Sequence, residues 1–172
     1  MDGTAVSGAD YVADSGTLTF TPGDTEETVS ITVNGDINDE FDETFTVDLS
    51  NESNVTLSDS SAEATITDDD LPPTLSVADV TITEGDSGST TANFVVSLSA
   101  VSGKTITVEY ATSADTATAG TDYISATDTL TITAGSANET ISVTVNGDTV
   151  DEINETFDLT LSNPNSNATI TD

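Results

Sequence analysis

Apolar and polar residues alternate along short runs of this chain. Val29, Ile31 and Val33 lie on one side of such a run, with Ser30 and Thr32 on the other. Phe45, Val47 and Leu49 repeat the pattern, as do Phe157, Leu159 and Leu161. A period of two over a few residues predicts half-buried strands. Gly, Asn, Asp and Pro punctuate the runs every eight to twelve residues, which predicts an all-β chain built as an antiparallel β-sandwich. No stretch shows a helical period.

The runs recur. At an offset of 112 residues, GADY (Gly8–Tyr11) falls on GTDY (Gly120–Tyr123) and GTLTFTPG (Gly16–Gly23) falls on DTLTITAG (Asp128–Gly135). At the same offset ETVSITVNGD (Glu27–Asp36) falls on ETISVTVNGD (Glu139–Asp148), and DETFTVDLSN (Asp42–Asn51) falls on NETFDLTLSN (Asn154–Asn163). A unit of roughly 110 residues is a domain-sized module rather than a solenoid repeat. The expected organisation is the last two thirds of one module over residues 1–70, a short proline linker over 71–73, and a second module over 74–172. The second copy alone has the opening runs TLSVADVTIT, TANFVVSL and KTITVEYAT. At its other end two alignments compete. NVTLSD (Asn54–Asp59) matches NATITD (Asn167–Asp172) with a one-residue gap, which leaves the second module without its last strand. Pairing ATITD (Ala64–Asp68) with ATITD (Ala168–Asp172) implies a shorter loop instead; the first is preferred.

Composition changes the picture mainly through charge. The chain has 32 Asp and Glu, one basic residue (Lys104) and no His, for a net charge of −31. Such a surface repels nucleic acid and anionic membranes and attracts cations. Solubility, or adaptation to a salty medium that screens self-repulsion, is one explanation; specific cation binding is the other. Position favours the second. Asp36, Asp39, Glu40, Asp42 and Glu43 crowd one loop between two predicted strands, and VNGDTVDEINETF repeats that crowding in the second copy. Asp10 precedes another strand, and Asp68, Asp69 and Asp70 close the first copy. Loops distant in sequence meet at one pole of a sandwich, where gathered carboxylates need a counter-charge. With neither His nor Cys, zinc and copper are poor fits. Calcium, which takes six to eight oxygens in flexible loop geometry, fits best.

The combination GxDY, GTLTFTPG, VNGDxxxExxETFxVxLSN and ITDDD resembles the Calx-beta domain, a module of sodium–calcium exchangers, of the integrin β4 chain and of tandem arrays in very large bacterial surface proteins. The resemblance implies seven-stranded Ig-like sandwich modules in tandem, with calcium gathered at one pole. It implies as ligands Asp10, Asp36, Glu40, Glu43, Asp68, Asp69 and Asp70 in the first copy, with a carbonyl from Asn38. In the second copy it implies Glu84, Asp122, Asp148, Glu152 and Glu155, with a carbonyl from Val150. Two departures stand out. Gly35 and Gly147 occupy positions where the exchanger modules place a further Asp, and neither copy has the complete ligand set, so fewer ions per module are expected.

The expected role is a calcium-binding structural repeat of an extracellular surface or matrix protein. Its partners are neighbouring modules, and identical chains if the edge left by a missing last strand accepts another chain and builds a head-to-tail fibre. Calcium at DDDLPP, stiffened by Pro72 and Pro73, is expected to rigidify the module junction. An acidic spacer adapted to salt is the alternative. No enzyme is expected: the acids lie in loops rather than in an aromatic-lined cleft, and no Ser has a base partner. Met1–Tyr11 has neither a basic region nor an apolar stretch, so any secretion signal is expected outside this chain.

Overall fold

A computed structural model describes residues 1–171, which leaves only Asp172, the last residue of the second predicted module, outside the described residues. Nine strands and no helix are present among them: β1 (Glu43–Asp48), β2 (Ser61–Ile66), β3 (Thr74–Val77), β4 (Gly88–Leu98), β5 (Ile106–Ala114), β6 (Thr127–Ile132), β7 (Asn138–Gly147), β8 (Phe157–Ser162) and β9 (Thr169–Ile170). The chain divides into two units. The first comprises Met1–Ile37 and Phe41–Asp69, and the second comprises Asn38–Glu40 and Asp70–Asp172.

The second unit is a seven-stranded sandwich. One sheet has the order β7-β4-β3-β9 and the other β6-β5-β8. β4 and β7 form the longest ladder, running from Gly88↔Gly147 to Ser97↔Asn138. Alternation decides which side chains turn inward. Ala92, Phe94 and Val96 of β4 and Ile141, Val143 and Val145 of β7 are buried, as are Ile106 and Val108 of β5 and Ile132 of β6, and all share one core. Tyr123 stacks on Phe157 at 4.4 Å between ring centres, and Phe94 meets the same Phe157 edge-on at 6.0 Å. β9 pairs parallel to β3, through Thr74↔Thr169 and Leu75↔Ile170, so β8 remains an edge strand with β5 as its ladder partner.

This unit also holds the chain's one basic side chain. Lys104 Nζ donates to Asp39 Oδ1 at 2.7 Å, and Ser102 Oγ donates to Asp39 Oδ2 at 3.2 Å. Asp39 is buried to 3 % exposure. A carboxylate so deep is tolerable because a cation and a hydroxyl satisfy it.

The first unit has a single ladder, β1 against β2, from Glu43↔Ile66 to Asp48↔Ser61. Its small core is Ala5, Tyr11 and Phe45, with the Tyr11 and Phe45 rings stacked 4.3 Å apart. The strand predicted over Val29–Val33 is not part of a ladder; an isolated bridge, Tyr11↔Val33, is its one point of pairing. A strand is stabilised by its neighbour's hydrogen bonds and side chains. The corresponding run in the second unit, β7, has β4 beside it, whereas this one has no such neighbour among the described residues.

Candidate metal centre

Three loops of the second unit bring carboxylates to one end of the sandwich. Glu84 lies between β3 and β4, Asp122 between β5 and β6, and Asp148, Glu152 and Glu155 between β7 and β8. They form two overlapping groups, Glu84–Asp148–Glu152 and Asp122–Glu152–Glu155. Within each, one oxygen from every residue lies within 4.8 Å of the others. Glu152 belongs to both.

Local hydrogen bonds aim these groups. The Thr118 N–H donates to Asp122 Oδ2 at 2.6 Å and fixes that carboxylate against its own turn. The Val150 N–H donates to Asp148 Oδ1 at 2.7 Å, an Asx turn that holds Asp148 at the loop entrance. Asn146 Nδ2 donates to the Thr121 carbonyl at 2.7 Å, tying the end of β7 to the loop that carries Asp122.

Gly147 brings in the third loop. A Cβ at this position would stand 2.5 Å from the Gly85 carbonyl oxygen and 2.7 Å from that of Glu84. Only glycine lets the backbones approach so closely. Gly147 therefore lets the Glu84 turn lie directly against β7. The turn itself is made by Gly85 and Gly88, with φ of +87° and +76°.

Crowding perturbs two of the acids. Glu152 titrates above the usual glutamate value of 4.5, first because it loses hydration in the cluster, then through the charges of Asp148, Asp122 and Glu84. Glu155 is raised for the same first reason, and then by the charge of Asp122 and a hydrogen bond to it, by Glu152 and by Glu84. Both side chains are exposed, so the loss of hydration is partial. No Arg or His exists in the chain, and Lys104 is held by Asp39. The arrangement is one that favours a hard cation with oxygen ligands.

The first unit builds the same anchors. Asp10 Oδ2 accepts from the Val6 N–H at 2.6 Å, as Asp122 does from Thr118, and Asn34 Nδ2 donates to Ala9 O at 2.8 Å, as Asn146 does to Thr121. The Asp68 N–H donates to Asp42 Oδ1 at 3.0 Å. Among the described residues, none of Asp10, Asp36, Glu40, Glu43, Asp68, Asp69 and Asp70 falls in a group of three close carboxylates, and Asn38 and Glu40 cluster with the second unit. Gly35, the counterpart of Gly147, faces open space.

The Calx-beta domain profile matches residues 1–70 and again 73–171. The chain belongs to the Calx-beta domain family. Solved Calx-beta structures are similar to it. The apo-form Calx CBD1 domain is 27% identical over 47% of this chain and 72% of its own, with a TM-score of 0.45. CBD12 from CALX1.2 is 29% identical over 95% of this chain, with a TM-score of 0.47. The calcium binding domain CBD12 of CALX1.1 is 30% identical over 95%, with a TM-score of 0.48. The chain spans 64% of the length of each CBD12 structure. No curated protein matches it.

Sequence reasoning missed Gly147 as the residue that joins two acidic loops, because close backbone approach leaves no mark beyond the glycine itself. It also passed over Asp86 and Asp151, which line the open depression beside Glu84 and Asp148. Their signal was present in TITEGDSG and VNGDTVDE.

Proposed function

We propose that the chain is a calcium-binding structural repeat of an extracellular surface or matrix protein. The observation that carries this reading is the convergence of Glu84, Asp122, Asp148, Glu152 and Glu155 from three loops, with Glu152 shared by both oxygen groups. Glu84, Asp148 and Glu152 would hold one ion and Asp122, Glu152 and Glu155 a second, with water completing each shell. Calcium supplies the positive charge that makes the crowding favourable, and binding draws the three loops together. The calcium binding domain named in a similar structure supports the choice of ion.

Modules outside cells bind calcium with dissociation constants of about 10⁻⁴–10⁻³ M, which suits the mineral content of an extracellular medium. Calcium bound along a string of such modules stiffens it, and small-angle scattering with calcium and with EDTA tests that: identical profiles refute it. The edge strand β8 offers backbone groups to another chain, the basis for head-to-tail assembly. A mass that stays monomeric at high concentration removes assembly from the reading.

Calorimetric titration of the full chain decides the central point. Calcium is expected to bind with heat that the Glu152→Gln variant loses, and magnesium is expected to bind more weakly because it dehydrates reluctantly. Absence of saturable heat with calcium leaves an acidic spacer adapted to salt.

A further inference from the structure

Lys104 is the one Lys or Arg of the chain. Endoproteases that cut after basic residues therefore find a single bond to attack in it, Lys104–Thr105. That bond lies in the connection between β4 and β5, where Gly103 and Thr105 are both exposed. Exposed turns are the usual sites of nicking. Cleavage also needs a basic side chain free to enter the protease's pocket. It needs several flanking residues that can leave their own partners and lie extended in the cleft, much as an added strand does.

This turn withholds both. The Lys104 ammonium is held by Asp39 at 2.7 Å, and the Lys104 N–H donates to Ser102 Oγ at 3.0 Å. On the other side of the bond, the Thr105 carbonyl accepts from Asn165 Nδ2 at 3.0 Å and from Asn167 Nδ2 at 2.9 Å. Both asparagines lie in the connection between β8 and β9. The Asn165 N–H donates in turn to Thr107 O at 2.9 Å, and the Gly135 N–H, from the connection between β6 and β7, donates to Ser102 O at 2.9 Å. Three connections are thus tied together. β3 and β4 run antiparallel, so this knot sits at the end of the sandwich away from Glu84. One residue past the bond β5 begins, with Ile106 fully buried and paired with Ile132. β5 is the central strand of its sheet, flanked by β6 and β8. Drawing the bond into a cleft means detaching that strand.

We infer that Lys104–Thr105 is a latent cleavage site for endoproteases of the trypsin type, sealed in the folded second unit by these three connections and opened when β5 comes away. Such proteases receive the basic side chain on an acid in their pocket, a place that Asp39 already takes here. Hydrolysis consumes one water, breaks the bond between the Lys104 carbonyl carbon and the Thr105 nitrogen, and leaves a carboxylate on the first and an ammonium on the second. A folded chain is passed over; a chain whose second unit has opened is cut once, into residues 1–104 and 105–172. The seal stands apart from the calcium reading, so its test is run in EDTA.

The full chain is incubated with a lysine-specific endoprotease that keeps its activity in urea. Cleavage is expected to be slow in buffer and to rise with urea in step with unfolding of the second unit, because cutting follows the open population. A rate that stays flat over the urea range in which the second unit is folded would mean that a local opening suffices, and overturns the seal. Ser53→Lys adds a lysine in the exposed connection between β1 and β2, where cutting is expected at least about a thousand times faster than at Lys104. Equal rates at the two lysines overturn the proposal. Asn165→Ala combined with Asn167→Ala frees the Thr105 carbonyl and is expected to speed the cut at Lys104 about tenfold, as loss of two hydrogen bonds does. An unchanged rate removes the β8–β9 connection from the seal and overturns the assignment. Should that variant not fold, the urea series and the Ser53→Lys comparison still decide.

Discussion

Tyr11 stacks on Phe45 in the first unit as Tyr123 stacks on Phe157 in the second, and Asp10 and Asp122 accept from the N–H four residues back at the same 2.6 Å. From these shared anchors the two units diverge. The second closes a sandwich around Phe94, Ile141 and Val143 and draws three acidic loops to one end. The first leaves Phe20, Val29 and Val33 exposed, and among the described residues its acids form no group of three close carboxylates. Both members of each turn bond and of each aromatic pair lie in the stretch that the two units share, so they form in both. Ladders and the gathering of carboxylates need partners from further along the chain, and the second unit has them.

The comparison is broken most forcefully in the core. Ile141→Ala is expected to destabilise the second unit by about 2–5 kcal/mol, the cost of lost burial plus the cavity left behind. Val29→Ala, at the repeated position of the first unit, is expected to change stability by less than about 0.5 kcal/mol, as exposed sites do. Amide exchange resolved by unit reads both variants. Equal losses would mean that the first unit encloses Val29 after all.

Glycine separates the units next. In Gly147→Ala the new methyl group meets two carbonyl oxygens, and either β7 or the Glu84 turn must move, at about 1–3 kcal/mol as overpacking costs. Gly35→Ala has nothing within 4 Å and no positive φ, so it is expected to be neutral or to stabilise by about 0.4–1 kcal/mol through the unfolded chain. Thermal unfolding of the two variants checks the contrast. A Gly147→Ala chain as stable as the parent, with calcium affinity intact, would remove the glycine from the design of the site.

These contrasts mark what was legible in the chain. Alternation announced β7 and β8, and the paired GxDY and VNGD motifs pointed to Asp122 and Asp148, because each is a local signal. Alternation also announced a strand at Val29–Val33 that has no ladder, since a pattern states what a segment prefers and not whether a neighbour stands beside it. β9 is two residues long, too short for a period, and its parallel pairing with β3 depends on contacts nearly a hundred residues apart. The carboxylates of the first unit repeat those of the second almost position for position, and the 112-residue offset showed that the run carrying Glu84 occurs in the second copy alone.

Calcium gives a smaller, reversible handle. At ten times its dissociation constant, one bound ion adds about 1.4 kcal/mol to the state that binds it. That gain is expected in the second unit and is expected to vanish in Glu152→Gln, which removes the charge common to both oxygen groups. Glu40→Gln, outside both of these groups, is expected to leave it unchanged. Unfolding midpoints with calcium and with EDTA measure both variants. Loss of the calcium gain in Glu40→Gln alone would move the site away from the three-loop cluster.

Acidity produces the gentlest effect, and its sign differs between the units. Glu152 and Glu155 have folded pKa values raised above 4.5, by partial loss of hydration and neighbouring carboxylates. The folded second unit therefore binds their protons more tightly than the unfolded chain does. Without calcium, the stability from these protons is fully present below 4.5 and is lost as pH rises through the raised values. Lowering the pH from about 7 toward 4.5 in EDTA is thus expected to stabilise the second unit. In calcium the same protons compete with the ion, so the gain from calcium shrinks over that interval. Asp2 in the first unit behaves oppositely. The Tyr11 hydroxyl and then the Ser7 N–H donate to it and lower its pKa below 3.8, so its contribution holds above 3.8 and is lost only as pH falls through the lowered value. Relief of the overall negative charge acts on both units, and the Glu152→Gln, Glu155→Gln double variant isolates the local part. It is expected to lose the extra stabilisation of the second unit on acidification while the first unit is unaffected. If the double variant keeps the full pH response in EDTA, the five carboxylates do not repel one another as their geometry requires, and the case for a cation at that end of the sandwich falls with them.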